Sequence, residues 1–229
     1  MTLVQRYIDT DYPVFQSDER ALDVLARLDE LDIGEAPVLK DGKLFALVSP
    51  EELRRALGTA GDKASGLLLG GMRFEVPESV RPDEHLLDVF SCLSREGSKN
   101  LLPLQDDDGD FVGVAPKMPL LRAIAALFHF AEKGTTLEIE VPALGVRLSE
   151  IIGVLEKNEA TVLSFGAAVP DPGAQSMFIT FRLQSSDLFR LVKTLEKYGY
   201  IVHFASPSTD GGVDELREKA LEFMRYIDM

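Results

Sequence analysis

The sequence predicts a mixed α/β (α+β) chain in three stretches: two copies of one helix–strand–strand–helix unit, then a βαββαβ sandwich, then a C-terminal helix. Three observations predict this. Asp18-Glu19-Arg20-Ala21-Leu22-Asp23-Val24-Leu25 recurs 65 residues later as Asp83-Glu84-His85-Leu86-Leu87-Asp88-Val89-Phe90, identical at five of eight positions. From about Thr135 the pattern changes to apolar Leu137, Ile139 and Val141 alternating with Thr136, Glu138 and Glu140, a half-buried strand. The tail carries Leu216, Ala220, Met224 and Ile227 along one helical side.

The repeat continues past its opening. Ala36-Pro37-Val38 returns as Leu102-Pro103-Leu104, Asp41-Gly42 as Asp108-Gly109, and Arg55-Ala56-Leu57 as Arg122-Ala123-Ile124. Two copies of one supersecondary unit each need the other to complete a core. Leu22, Leu25, Leu28 and Leu31 recur at helical spacing and mark the first helix. Residues 37–39 and 44–48 read as strands of a hairpin with Asp41-Gly42 at its turn. Ser49-Pro50-Glu51-Glu52 opens the next helix. These patterns divide the chain into copies at 1–58 and 72–131, a glycine-rich linker at 59–71, a sandwich at 135–206 and a tail helix at 213–229.

Within the sandwich, Leu148, Ile151, Ile152 and Leu155 fall on one helical face, as do Leu188, Leu191, Val192 and Leu195. Strands are expected over 161–165, around Met177, Ile179, Phe181 and Leu183, and over 200–204, with Asp171-Pro172-Gly173 as a turn. The apolar side of the tail is a docking face, either on this chain or on a second copy.

Composition narrows the function classes. With 45% hydrophobic residues over 229 positions, a sizeable core is feasible. No run of 18 apolar residues appears, and the N-terminus lacks the apolar stretch of a signal peptide, so a cytoplasmic chain is expected. Cys92 is the single cysteine, which excludes an internal disulfide and fits a reducing compartment. The formal charge of −14 favours solubility and repels phosphate backbones and anionic lipid, so neither nucleic acid nor membrane is an expected partner.

No catalytic constellation appears. His85, His129 and His203 lie far apart in sequence without metal-ligand spacing, and Cys92 has no adjacent histidine or basic cluster. Neither glycine-rich phosphate-binding motif is present. Residues 106–110 resemble a calcium loop superficially, but the twelfth position is Lys117 where a closing Glu is needed, so a solvated turn is expected.

Each repeat resembles a CBS motif, in Ala36-Pro37-Val38, Asp41-Gly42 and Val48-Ser49-Pro50-Glu51-Glu52-Leu53, and in Leu102-Pro103-Leu104, Asp108-Gly109 and Gly113-Val114. The third stretch resembles an ACT domain, in Glu140-Val141-Pro142 and in residues 148–155. The combination is similar to the acetoin utilisation regulators, a CBS–CBS–ACT family. That resemblance implies a non-catalytic regulatory protein, a homodimer, with a small-molecule effector, a separate protein target and a link to acetoin metabolism. CBS pairs bind adenine nucleotides, other adenosyl compounds, or nothing. No cofactor is implied beyond such a ligand.

The resemblance also implies where a ligand sits. In CBS pairs a Ser or Thr followed three residues later by Asp holds phosphate and ribose; here Ser49 is followed by Glu52, which keeps the acceptor oxygens but adds a methylene. Ala36, Pro37 and Val38 would supply backbone and apolar contacts to an adenine. Ser49-Pro50-Glu51-Glu52 is equally a capping box with proline at the first helical position. In the second repeat the corresponding positions are Pro116 and Pro119, which have neither hydroxyl nor N–H. Amino-acid-binding ACT domains carry Asp and Gly in their first loop; here the loop is Ala143-Leu144-Gly145-Val146, with Ala143 at the Asp position and Val146 at the Gly position. The leading expectation is a sensor of an adenosine-type metabolite whose ACT domain dimerises or relays the change. The alternative is a ligand-independent interaction or scaffold protein with degenerate CBS and ACT pockets.

Overall fold

The computed structural model describes residues 2–75, 77–95 and 99–206, so the helix expected over 213–229 lies outside the described residues. The chain divides into two compact units, one ending at Ile124 and the other beginning at Ala125.

In the first unit, β1 (Phe15–Gln16), α1 (Ala21–Glu30), β2 (Ala36–Lys40), β3 (Lys43–Val48) and α2 (Pro50–Ala60) make the first repeat. The sheet order is β1-β2-β3, with β1 parallel to β2 and β2 antiparallel to β3. Asp41 and Gly42 both have positive φ, 53° and 79°, the conformation a two-residue hairpin turn needs and Asp-Gly supplies. The second repeat has α3 (Phe90–Ser94), β4 (Leu101–Gln105), β5 (Phe111–Pro116) and α4 (Lys117–Leu127). Val80 forms a parallel bridge to Leu104 where Phe15 pairs with Val38.

The repeat is exact in its hydrogen bonding where the sequence is most alike. Gln16 N–H donates to the Glu19 carboxylate at 2.6 Å, and Arg81 N–H donates to the Glu84 carboxylate at 2.7 Å. The buried face of the first helix is not made of its leucines alone. In α1 the buried residues are Ala21, Val24 and Leu28, while Leu22 and Leu31 are exposed. The face is set from Ala21, and Leu31 already lies at the C-terminal cap. In the second repeat Leu86, Val89 and Leu93 repeat that spacing, but only residues from Phe90 onward are α-helical. There the His85 carbonyl accepts from Asp88 and its ring from Leu87, bonds that tighten the first turn.

The stretch expected as a linker is built into the core. Leu68 bridges Arg20, and Leu69 is fully buried in the core of the first repeat. Leu3 bridges His85 in the same way, so each repeat is completed by a segment that precedes the other in sequence. Gly70 N–H reaches Ser17 O at 2.6 Å, and a Cβ there would lie 2.9 Å from that oxygen, so the glycine is required by close approach. Between the repeats Leu47, Leu101 and Val114 form a small apolar cluster flanked by Tyr12 and Phe111.

The second unit holds β6 (Thr135–Pro142), α5 (Leu148–Lys157), β7 (Thr161–Ala168), β8 (Ser176–Gln184), α6 (Leu188–Lys197) and β9 (Ile201–Ser206). Strand order β7-β8-β6-β9, antiparallel throughout, is that of a ferredoxin-like sandwich. Leu137, Ile139 and Val141 of β6 meet Ile151, Val154 and Leu155 of α5 in its core. β7 runs three residues beyond the expected end at Phe165, because its pairing with β8 continues to Ala168 opposite Phe178.

Candidate functional site

The end of β3 delivers the chain directly into α2. Ser49 is extended (φ −115°, ψ 156°) and caps the helix, and Pro50 takes a first-turn position where its missing N–H costs nothing. The capping box is complete. Ser49 Oγ accepts from Glu52 N–H at 3.3 Å, and Glu52 Oε2 accepts from Ser49 N–H at 2.9 Å. Ser49 Oγ–H also donates to Glu52 Oε2 at 2.8 Å. The other carboxylate oxygen, Oε1, takes a 2.7 Å hydrogen bond from Lys99 Nζ of the second repeat. Both side chains of this pair are about one-third exposed, at 33% for Lys99 and 35% for Glu52. Partial burial opposes the charge on Glu52, but the hydrogen bonds from Lys99 and Ser49 outweigh it and hold the carboxyl below the ordinary range. Glu52 is therefore ionised near neutral pH with both oxygens engaged.

Lys99 is held by its own backbone neighbours. Glu35, just before β2, accepts from Asn100 N–H at 2.7 Å and Leu101 N–H at 3.3 Å. The Glu35 carbonyl in turn accepts from the Tyr12 hydroxyl at 2.8 Å. Burial, with Glu35 and Asp9 nearby, pushes the Tyr12 hydroxyl up, so it remains a neutral donor. Two carboxylates of the first repeat thus grip Lys99, Asn100 and Leu101, where the chain enters β4.

Ala36, Pro37 and Val38 are all buried in β2, and the side chains of Ala36 and Val38 belong to the core of the first repeat. The second repeat presents a different surface at the equivalent point. Pro37 pairs with Leu47 and Pro103 with Val114, so Ser49 corresponds to Pro116 and Glu52 to Pro119. Leu53 and Leu120, each one residue further on, are both fully buried, which fixes the correspondence.

The loop in the sandwich, Ala143-Leu144-Gly145-Val146, carries no polar side chain. Ala143 N–H donates to Gln175 O at 2.8 Å, Leu144 is 89% exposed, and Val146 packs against the core. The positive φ of 80° falls on Gly145, one residue before the position where the ACT resemblance expects glycine. On the same unit, Glu140 accepts from Ser176 and His203, hydrogen bonds that hold its carboxyl low; His203 Nε2 lies 2.7 Å away. The Phe178 ring meets His203 edge-on at 5.1 Å.

The remaining candidates resolve into local structure. Asp106 accepts from Asp108 N–H at 3.0 Å and Asp110 N–H at 2.9 Å, closing the acidic hairpin turn on itself. The histidines stay apart: His85 bonds Thr2, His129 lies 2.8 Å from Glu132, and His203 belongs to the Glu140 group. Among the described residues no group of three or more His, Cys, Asp or Glu is placed to hold a metal, and no helix is long and apolar enough to cross a membrane. Sequence reasoning missed Lys99 and Glu35. Their only signal was position, immediately before a repeated strand, and nothing in one repeat announces which part of the other it will face.

No protein-family model matches the chain and no curated protein does. Among solved structures it is similar to CBS-pair proteins. CBSX2 from Arabidopsis thaliana, in a complex with AMP, is 24% identical, with 55% of this chain and 98% of that one covered at a TM-score of 0.46. A CBS domain pair/ACT domain protein from Thermotoga maritima is 16% identical over 54% of this chain and 97% of that one, TM-score 0.46. A putative acetoin utilization protein, AcuB, from Vibrio cholerae is 19% identical over 58% of this chain and 96% of that one, TM-score 0.47.

Proposed function

We propose that this chain is a non-catalytic, cytoplasmic regulatory protein that senses an adenosine-type metabolite through its two CBS-like repeats, with the ferredoxin-like unit acting as an ACT domain for dimerisation or relay. The observation that carries this reading is the asymmetry of two equivalent helix starts. One gathers Ser49, Glu52 and Lys99; the other has Pro116 and Pro119. A hydroxyl, a carboxylate and an ammonium group suit the phosphate and ribose of a nucleotide, whereas proline offers no donor and no side-chain acceptor. Ala36, Pro37 and Val38 are the candidates for backbone and apolar contact with the base. A single dominant site per chain follows.

Isothermal calorimetry with AMP, ADP, ATP and S-adenosyl compounds tests this. The expected result is at most about one ligand per chain, abolished by Glu52→Ala with the fold intact and unaffected by Pro119→Ala. Thermal stability should rise with ligand, since a ligand that binds only the folded state adds RT ln(1 + [L]/Kd). Two equivalent sites, or binding indifferent to Glu52, would overturn the assignment.

A second reading, a ligand-independent interaction protein, is favoured by one observation: Ser49 and Glu52 satisfy each other without any ligand. Absence of binding to every adenosyl compound selects it. Both readings include a homodimer. Leu22 and Leu87 occupy equivalent repeat positions and are exposed at 43% and 41%, apolar surface at two related points that a two-fold partner would cover.

A further inference from the structure

We propose that Lys99 is the residue that makes the Ser49–Glu52 site select phosphorylated over uncharged adenosyl ligands, by exchanging Glu52 for the ligand's phosphate. The inference rests on the ligand-sensing reading above and concerns the charge balance of that same site.

Glu52 by itself is the wrong charge for a nucleotide. Its carboxylate is ionised, and Ser49 N–H and Ser49 Oγ–H already occupy Oε2 at 2.9 and 2.8 Å. An anionic ligand approaching Ser49 meets that negative charge, in a chain whose formal charge is −14. Lys99 removes the conflict. Its Nζ sits 2.7 Å from Glu52 Oε1, on the side of the carboxylate that Ser49 leaves open. The ammonium group carries three donors and satisfies a carboxylate with one of them. It stands on a flexible stem at 33% exposure, so it can turn from one anion to another without unfolding anything.

The backbone beneath it does not share that freedom. Glu35 holds Asn100 N–H and Leu101 N–H, so the root of the lysine is fixed while its tip is exchangeable. After the exchange Glu52 Oε2 keeps the Ser49 N–H, and Oε1, on a side chain 35% exposed, is left to water. The same lysine, coming from the second repeat to a site on the first, ties occupancy of the site to the segment that leads into β4.

The test is the ratio of adenosine Kd to AMP Kd, which cancels whatever Glu52 does to the ribose. It is measured by calorimetry on the full chain for the wild type, Lys99→Met, Lys99→Arg and the double variant Lys99→Met/Glu52→Gln. A charge-assisted hydrogen bond to phosphate corresponds to a loss of about tenfold or more in that ratio for Lys99→Met. Lys99→Arg should keep most of it. The double variant decides between direct contact and mere neutralisation of Glu52: the ratio should stay about tenfold low. A double variant restored to the wild-type ratio overturns the exchange, as does Lys99→Met with an unchanged ratio. If the wild type binds neither adenosine nor AMP, the ligand-sensing reading itself fails and this inference with it. Far-UV circular dichroism on each variant confirms that the fold is retained.

Discussion

Leu155→Ala probes the core of the sandwich and has a magnitude that the structure sets. Leu155 is fully buried on α5 and shares its cluster with Leu137 and Ile139 of β6, Phe181 of β8 and Leu191 and Leu195 of α6. Truncation removes about three carbon groups from that cluster, worth roughly 2.4 kcal/mol at about 0.8 kcal/mol per buried methylene. A cavity term adds to it, and here relaxation is restricted. β6 is hydrogen-bonded to β8 on one side and β9 on the other, so the strand beneath Leu155 cannot move inward. We therefore expect about 3 kcal/mol, inside the roughly 2–5 kcal/mol span of buried Leu→Ala changes. The backbone role of residue 155, whose carbonyl accepts from Asn158 and Ala160, is untouched by the substitution. In urea unfolding followed by circular dichroism, a slope near 2 kcal/mol per molar converts this to a midpoint shift of about 1.5 M for the sandwich. Hydrogen exchange of β6 and β8 amides assigns the transition to this unit. Leu144→Ala, at an 89% exposed position, is the control and should stay within about 0.5 kcal/mol. A Leu155→Ala change below about 0.5 kcal/mol would refute the helix face described here.

Four further outcomes follow from the same geometry. Ser49→Ala removes the α2 cap and one donor to Glu52, and should cost about 1 kcal/mol of stability in denaturant titration; no loss would mean that water replaces the cap fully. The Glu52 carboxyl is held below its ordinary range in the folded chain, so its stabilising contribution is present above the unfolded-state pKa and is lost as pH falls through the folded one. Stability measured from about pH 6 downward should therefore fall less steeply in Glu52→Gln than in the wild type, and equal slopes would contradict the Lys99 and Ser49 hydrogen bonds. Gly113→Ala should destabilise by about 1–3 kcal/mol, because its Cβ would lie 2.9 Å from the Asp9 carbonyl and 2.8 Å from Ile8 Cγ2; a neutral result would show that the N-terminal segment does not lie on β5. Light scattering at micromolar concentration should give a dimer mass, shifted toward monomer by Leu22→Asp combined with Leu87→Asp, whereas a monomeric wild type would remove the two-fold assembly.

What the sequence by itself determined is whatever depends on local pattern. Period-2 alternation in β6 and β8 and period-3.6 stripes in α5 and α6 suffice for the βαββαβ order, because each strand and helix of that sandwich has one face toward a single core. The Asp41-Gly42 turn was legible because few residue pairs accept two consecutive positive φ values. The Ser49–Glu52 capping box was legible because both members lie within one turn of helix. The repeat itself was legible from identities, but its consequences were not. Leucine spacing marked the helix but not its face: packing buries Ala21, Val24 and Leu28 and leaves Leu22 and Leu31 exposed, because the strand and the 67–69 segment approach α1 from that side. The same tertiary choice turned an apparent glycine-rich linker into part of the core at Leu69. Above all, the meeting of Glu52 with Lys99, 47 residues apart in sequence, and of Glu35 with Leu101, 66 apart, required two repeats to face each other. Such contacts leave no periodic trace, since a single long-range pair constrains neither neighbour's residue type. The sequence determined that one helix start is polar and its counterpart proline; only the tertiary structure decided which cation from the other repeat would stand beside it.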